Sequence, residues 1–169
     1  MYRHAATIRL VINFALFQLC WLLAFFFQAQ AVWAMLLICI ALFFSHEKYL
    51  KQLLLLAACL PIGIGLEVFA SYSSLIVHPH GTVPSWLIIL WIAFILTFDS
   101  SLKRLFALPK YLGSVVFALF APISYITAAN FGIFDIIMPI ETFYLAFSML
   151  WLICTLFIIR IYDWLLIKR

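Results

Sequence analysis

Charge is what this chain has least of. Only 9% of its 169 residues are Asp, Glu, Lys or Arg, while 69% are hydrophobic and the mean hydropathy is +1.23. A soluble domain carries about a quarter charged residues, so no water-soluble fold of this size could hide so much apolar side chain. A helix needs about 20 apolar residues to cross the hydrocarbon, which allows about six crossings and leaves no room for a separate soluble domain. Alternation of polar and apolar residues over about ten positions, the mark of a membrane β-barrel, is missing. Runs such as Leu16 to Phe27, interrupted only by Gln18, stand in its place. The expectation is an all-α membrane protein, a bundle of six transmembrane helices forming a single domain over residues 1–169.

Other absences exclude chemistry. The four cysteines, Cys20, Cys39, Cys59 and Cys154, lie in apolar runs with no C-x-x-C between them, a spacing that suits neither a redox pair nor a zinc site. They read as small buried hydrophobes. No G-x-S-x-G offers a serine nucleophile, and His46-Glu47 lacks the second histidine of H-E-x-x-H. Gly63-Ile64-Gly65-Leu66-Glu67 is close to the Gly-x-Gly-Asp of intramembrane aspartic proteases. That chemistry needs two carboxylates, and no second acid lies in a neighbouring run at similar depth. The net charge of +4 is not gathered into a patch, so no nucleic-acid partner is expected.

What is present is a sorted set of loops. The apolar runs span residues 8–27, 31–45, 52–71, 83–99, 111–131 and 142–162. Arg3 and Arg9 precede the first, Lys48 and Lys51 separate the second from the third, Lys103, Arg104 and Lys110 the fourth from the fifth, and Arg160, Lys168 and Arg169 close the chain. The other three connections contain no Lys or Arg. By the positive-inside rule both termini are cytoplasmic, with six crossings between them. Residues 28–30 predict a tight turn joining the first two helices into a hairpin. Trp33, Tyr72, Trp86, Tyr144 and Trp164 sit near run ends, where aromatic belts are expected. Arg3, Arg9 and Ala29-Gln30-Ala31 also have the look of a signal peptide with its cleavage site, although the apolar stretch between them is longer than a usual signal core.

Few residues inside the runs are polar, and those are the candidate site. Glu67 lies in the third run, about 22 Å from its cytoplasmic start. A charged group at a helix centre costs about 3 kcal/mol on insertion scales, so Glu67 must be neutral, partnered or facing water. Spacing of four puts Cys59, Gly63, Glu67 and Ser71 on one stripe facing the bundle interior. The fifth run carries a second small-residue stripe, Ser114, Ala118, Ala121, Tyr125, Ala128 and Gly132, with Pro122 removing one backbone hydrogen bond. Tyr125 and Asn130 fall in the same outer half as Glu67, so a polar pocket lined by Glu67, Tyr125 and Asn130 is expected, competing with ordinary interhelical hydrogen bonds. Asn13 and Gln18 are polar positions of the first run, about 140° apart on the helical wheel. Asp99 precedes Lys103 by four residues, a pairing distance on a helix. In "VHPHG", Pro79 favours an extended His78, so alternate side chains His78 and His80 would point the same way toward a divalent metal. Glu67, Asp135 or Glu141 would have to complete that set; no other cofactor is expected.

Four segments, "INFALFQLCW", "GIGLEVF", "PSWLIILWIAF" and "APISYITAANFG", give the chain a further bearing. With its helices placed, it resembles a bacterial family of small polytopic inner-membrane proteins known only as domain of unknown function 2878. The resemblance implies that Asn13, Gln18, Trp21, Glu67, Trp86, Trp91, Phe94, Pro122 and Tyr125 are the family's positions here, with Glu67 where Asp is frequent. It also implies a bacterial inner membrane and, from the lipid-modifying and stress-response genes such proteins accompany, a link to fatty-acid modification.

The expected function is a non-enzymatic membrane module that binds a small molecule or lipid from the outer side through Glu67, Tyr125 and Asn130, with Asn13 and Gln18 as further ligand-facing positions. The bilayer is the constant partner. Two alternatives stand beside it: an intramembrane enzyme or accessory factor of lipid modification, and an assembly partner of another membrane protein, including the substrate-capture subunit of a transporter.

Overall fold

The computed structural model describes residues 2–106 and 108–167. Among them the regular structure is helical: α1 (Tyr2–Phe27), a 3-10 turn (Gln28–Ala31), α2 (Val32–Phe44), α3 (Tyr49–Tyr72), α4 (Ser85–Leu96), the single turn α5 (Lys103–Phe106), α6 (Lys110–Asn130) and α7 (Ile140–Ile167). The one β feature is an isolated antiparallel bridge between Val77 and Asp135. Lys168 and Arg169, counted in the charge asymmetry, lie outside the described residues.

Four stretches are long and apolar enough to cross a membrane: Thr7–Phe44, Tyr49–Tyr72, Leu112–Asn130 and Ile140–Leu165. The chain is accordingly a multi-pass membrane protein. The first stretch folds back on itself. Gln28 takes a left-handed backbone conformation at the turn, φ 47°, and Arg9 meets Glu47, so α1 and α2 run antiparallel as the expected hairpin.

Two of the six expected crossings are short, the second as its run of about 15 residues implied. At 1.5 Å per residue, α2 and α4 span only about 20 and 18 Å, short of the roughly 30 Å hydrocarbon layer. The fourth helix, anticipated over residues 83–99, stops at Leu96. Thr97 turns its hydroxyl onto the Phe94 carbonyl, and the backbone changes to three-residue spacing, Thr97 N–H to Phe94 O at 3.0 Å and Phe98 N–H to Ile95 O at 3.1 Å. A β-hydroxyl competing for the last carbonyls ends a helix in this way. Trp86, placed in an aromatic belt by the sequence, is instead buried, while Trp33, Tyr72 and Trp164 are exposed as expected.

The chain divides into two compact units. One comprises residues 1–60 with 85–106, the other residues 61–84 with 107–169. In the first, α1 and α2 pack on each other and on α4, around Cys20, Ala24, Met35, Leu42, Leu55, Ile95 and Phe98. In the second, α6 packs along α7, around Phe143, Phe147 and Ile158. Helix α3 contributes its first half to one unit and its second half to the other, and the division falls at Pro61, which lies inside the helix. Proline removes one donor from the ladder there. All four cysteines are buried, and none forms a disulfide.

Pro122 interrupts α6 in the same manner. The Tyr144 hydroxyl of α7 donates to the Leu119 carbonyl at 3.0 Å, one residue from the carbonyl of Ala118 that the proline leaves without its usual donor.

Candidate functional site

The stripe Cys59, Gly63, Glu67 faces inward, with Cys59 and Glu67 entirely buried. Glu67 therefore has to be satisfied inside the protein. Within the second unit the Tyr125 hydroxyl of α6 donates to Glu67 Oε1. The Tyr125 ring is held among aromatic neighbours, with centroids 4.5 Å from Phe147, 5.7 Å from Phe134 and 6.4 Å from Trp151. Phe147 in turn stacks on Phe143 at 4.9 Å. A carboxylate and a phenol thus meet in a sleeve of rings.

Two loops close over the end of this unit that carries Glu67. Val77 and Asp135 exchange both backbone hydrogen bonds, at 2.9 and 3.0 Å, joining the α3–α4 loop to the α6–α7 loop. Leu75, Ile76, Ile133 and Phe134 are buried beside the bridge, and so is His78. The His78 ring meets Phe134 edge-on at 5.8 Å, so the rings form a sequence His78, Phe134, Tyr125 leading to Glu67. Among the described residues neither nitrogen of His78 has a hydrogen-bond partner. Burial pushes its imidazole below the usual range, because the charged form is the one that loses hydration.

The expected convergence of His78 and His80 does not occur. The Gly81 N–H returns to the His78 carbonyl at 2.9 Å, closing a turn whose last residue has φ 69°, a value that glycine adopts freely. An extended strand would have put the two imidazoles on one side; the turn buries His78 and exposes His80. Among the described residues no group of three or more His, Cys, Asp and Glu stands close enough to hold a metal ion. Asn130, expected in the pocket with Glu67, is the exposed last residue of α6.

Asn13 and Gln18 belong to the other unit. Gln18 is half-buried on α1, whereas Asn13 is buried at the centre of a polar network. Ser100 and Ser101 both donate to Asn13 Oδ1, at 2.6 and 2.9 Å, and its amide reaches Ser45 Oγ at 3.5 Å. His46 lies in the same region, its Nε2 2.8 Å from the Leu96 carbonyl and its Nδ1 3.1 Å from the Gln52 amide nitrogen. A carbonyl can only accept, so Nε2 carries the hydrogen and Nδ1 accepts from Gln52, the neutral tautomer. Burial lowers the His46 pKa, and hydrogen bonding to the Leu96 carbonyl partly offsets this. Asp99 is held by Lys51 at 2.6 Å as well as by the anticipated Lys103 at 3.7 Å.

Sequence reasoning missed this network. Its signals were the polar residues Ser45-His46-Glu47 and Thr97 to Ser101 at the ends of two runs; no fixed spacing links them, because the fold alone brings them together.

No curated protein and no solved structure matches the chain. The family described as protein of unknown function (DUF2878) matches over residues 10–157. That span contains Asn13 and His46 of the first unit and Glu67, His78 and Tyr125 of the second, and the chain is a member of the DUF2878 family.

Proposed function

We propose that the protein is a non-enzymatic binding module of the bacterial inner membrane that takes a small molecule or lipid at Glu67 and Tyr125. The observation that carries this reading is the entirely buried Glu67 in an apolar helix, bonded to Tyr125. An ionisable group inside a membrane segment is costly, and such groups concentrate at ligand and ion paths. A helix held together by hydrogen bonds alone would be served by Ser, Asn or Gln at a lower insertion cost. Asn130 has no part in the site on this reading, and the hydrogen bonds of Asn13 are spent on serines.

The proposed threading has six crossings with both termini cytoplasmic, the short α2 and α4 pairing with longer neighbours. Glu67 lies about 8 Å from the end of α3, next to two loops that contain no Lys or Arg. The positive-inside rule makes this the outer side, so the ligand enters from there. Reporter fusions after Ser74 and Gly132 should read external, and fusions after Lys51 and Lys110 cytoplasmic; one inverted result breaks the threading.

The test of the site is native mass spectrometry of protein extracted gently from its own membrane, comparing wild type with Glu67→Gln. A discrete extra mass present in the wild type and lost in the variant supports the reading. Equal masses for both proteins, or the same partner chain on both, contradicts it and favours an assembly role.

A further inference from the structure

The second unit is balanced in charge as a whole, because Lys110 precedes residue 111 and Arg160, Lys168 and Arg169 follow residue 159, but the stretches between, which carry Glu67 and the two loops, hold one sign only. Residues 61–84 and 111–159 contain the carboxylates Glu67, Asp135 and Glu141 and no Lys or Arg. Asp135 and Glu141 are exposed at the end where the two loops meet, and Glu67 is buried behind them. An anionic ligand would meet these carboxylates and no Lys or Arg of the same stretches, whereas a cation would meet charges of the opposite sign.

The lining agrees with the sign. Phe134, Phe147 and Trp151 surround the Tyr125 phenol that donates to Glu67, and aromatic faces attract organic cations through their quadrupoles, Trp most strongly. The buried His78 adds nitrogens that no protein group engages among the described residues, and its lowered pKa keeps the imidazole neutral near pH 7. A neutral imidazole does not repel a cation, and to an alkylamine it also offers an acceptor for the N–H.

We propose that the ligand of this site is a hydrophobic organic cation, an alkylamine or quaternary ammonium. Glu67 takes its charge, and its apolar body lies against Tyr125, Phe134, Phe147 and Trp151. This rests on the reading of Glu67 and Tyr125 as a ligand site, and it adds the chemical class.

The experiment is equilibrium dialysis of tritiated tetraphenylphosphonium against the full chain in an uncharged detergent, with displacement by decyltrimethylammonium or by decanol. Wild type should bind saturably, and the ammonium should displace the probe at a concentration at least about tenfold lower than the alcohol does, the margin expected when a desolvated cation meets a carboxylate and rings. Glu67→Gln should lose the saturable binding and Glu67→Asp should retain a weakened form. Charge selectivity is read on the wild type, so it does not depend on either variant folding. Equal displacement by the alcohol, or saturable binding unchanged in Glu67→Gln, overturns the proposal. If saturable cation binding is missing while native mass spectra still show a neutral adduct lost in Glu67→Gln, the cation class falls and the site stands. If neither is seen, both fall.

Discussion

The two units handle buried polarity in opposite ways. In the first, Asn13 alone serves Ser45, Ser100 and Ser101, and His46 is engaged at both ring nitrogens. Donors and acceptors there come from α1, α2, α3 and the segment after α4, so each bond ties one element to another. In the second, Glu67 accepts from the Tyr125 hydroxyl inside a wall of rings, and His78 sits buried with neither nitrogen engaged by a protein group among the described residues. A densely bonded polar cluster rigidifies a fold, while unused bonding capacity in a dry site is what a ligand can use. On the proposed reading the first cluster is architecture and the second is the binding site.

The largest effect should come from the ion pair of the first cluster. Lys51 and Asp99 are both mostly buried, and removing one charge of such a pair costs about 3 kcal/mol. Asp99→Asn should therefore lower the melting temperature in detergent more than any other change considered, with ligand retention per folded molecule unaltered. Asn13→Ala removes the acceptor of two serine hydroxyls and should cost about 2 kcal/mol, again without touching the bound mass. Tyr125→Phe keeps the ring and its packing but takes a donor from the buried Glu67; its stability cost should be about 1–2 kcal/mol, while the retained ligand falls sharply. A variant that lost both properties in equal measure would erase the contrast between the units.

Acid gives a smaller and shared effect. His46 and His78 both titrate lower in the fold than when unfolded, chiefly through burial. Below the ordinary imidazole value of about 6.5 the unfolded chain takes up protons that the folded one does not. Stability is then complete above that value, declines as the pH falls through it, and levels off below the folded values. Melting temperatures taken from about pH 7.5 down to about pH 5.5 should fall in the wild type. His78→Asn should flatten the part of the slope that belongs to the second unit and leave the part due to His46.

Much of this architecture was legible in the sequence because the bilayer imposes length and composition on every crossing. Each of the six expected runs coincides with a helix, with ends within three residues except at the start of α1, six residues earlier, and the end of α7, five residues later, and the stripe at spacings of four placed Glu67 inward. The fourth run ends three residues early, since Thr97 is no barrier to hydropathy yet its hydroxyl turns onto the Phe94 carbonyl and the helix stops at Leu96. Local spacing also found Lys103 for Asp99 but not the nearer Lys51, which is 48 positions away. The histidine pair failed for the reverse reason: a short-range rule about alternation was applied to a segment that the Gly81 turn bends. Pairings across the chain, and turns inside loops, lie outside what periodicity reports.

The most direct measurement sets the two clusters side by side: native mass spectra and melting temperatures of Asn13→Ala and Tyr125→Phe, prepared identically. The account predicts that Asn13→Ala melts lower and keeps the wild-type adduct, whereas Tyr125→Phe loses the adduct even where it melts no lower than Asn13→Ala. The opposite pattern, or an adduct whose retention simply follows stability in both variants, would contradict the assignment of binding to Glu67 and Tyr125.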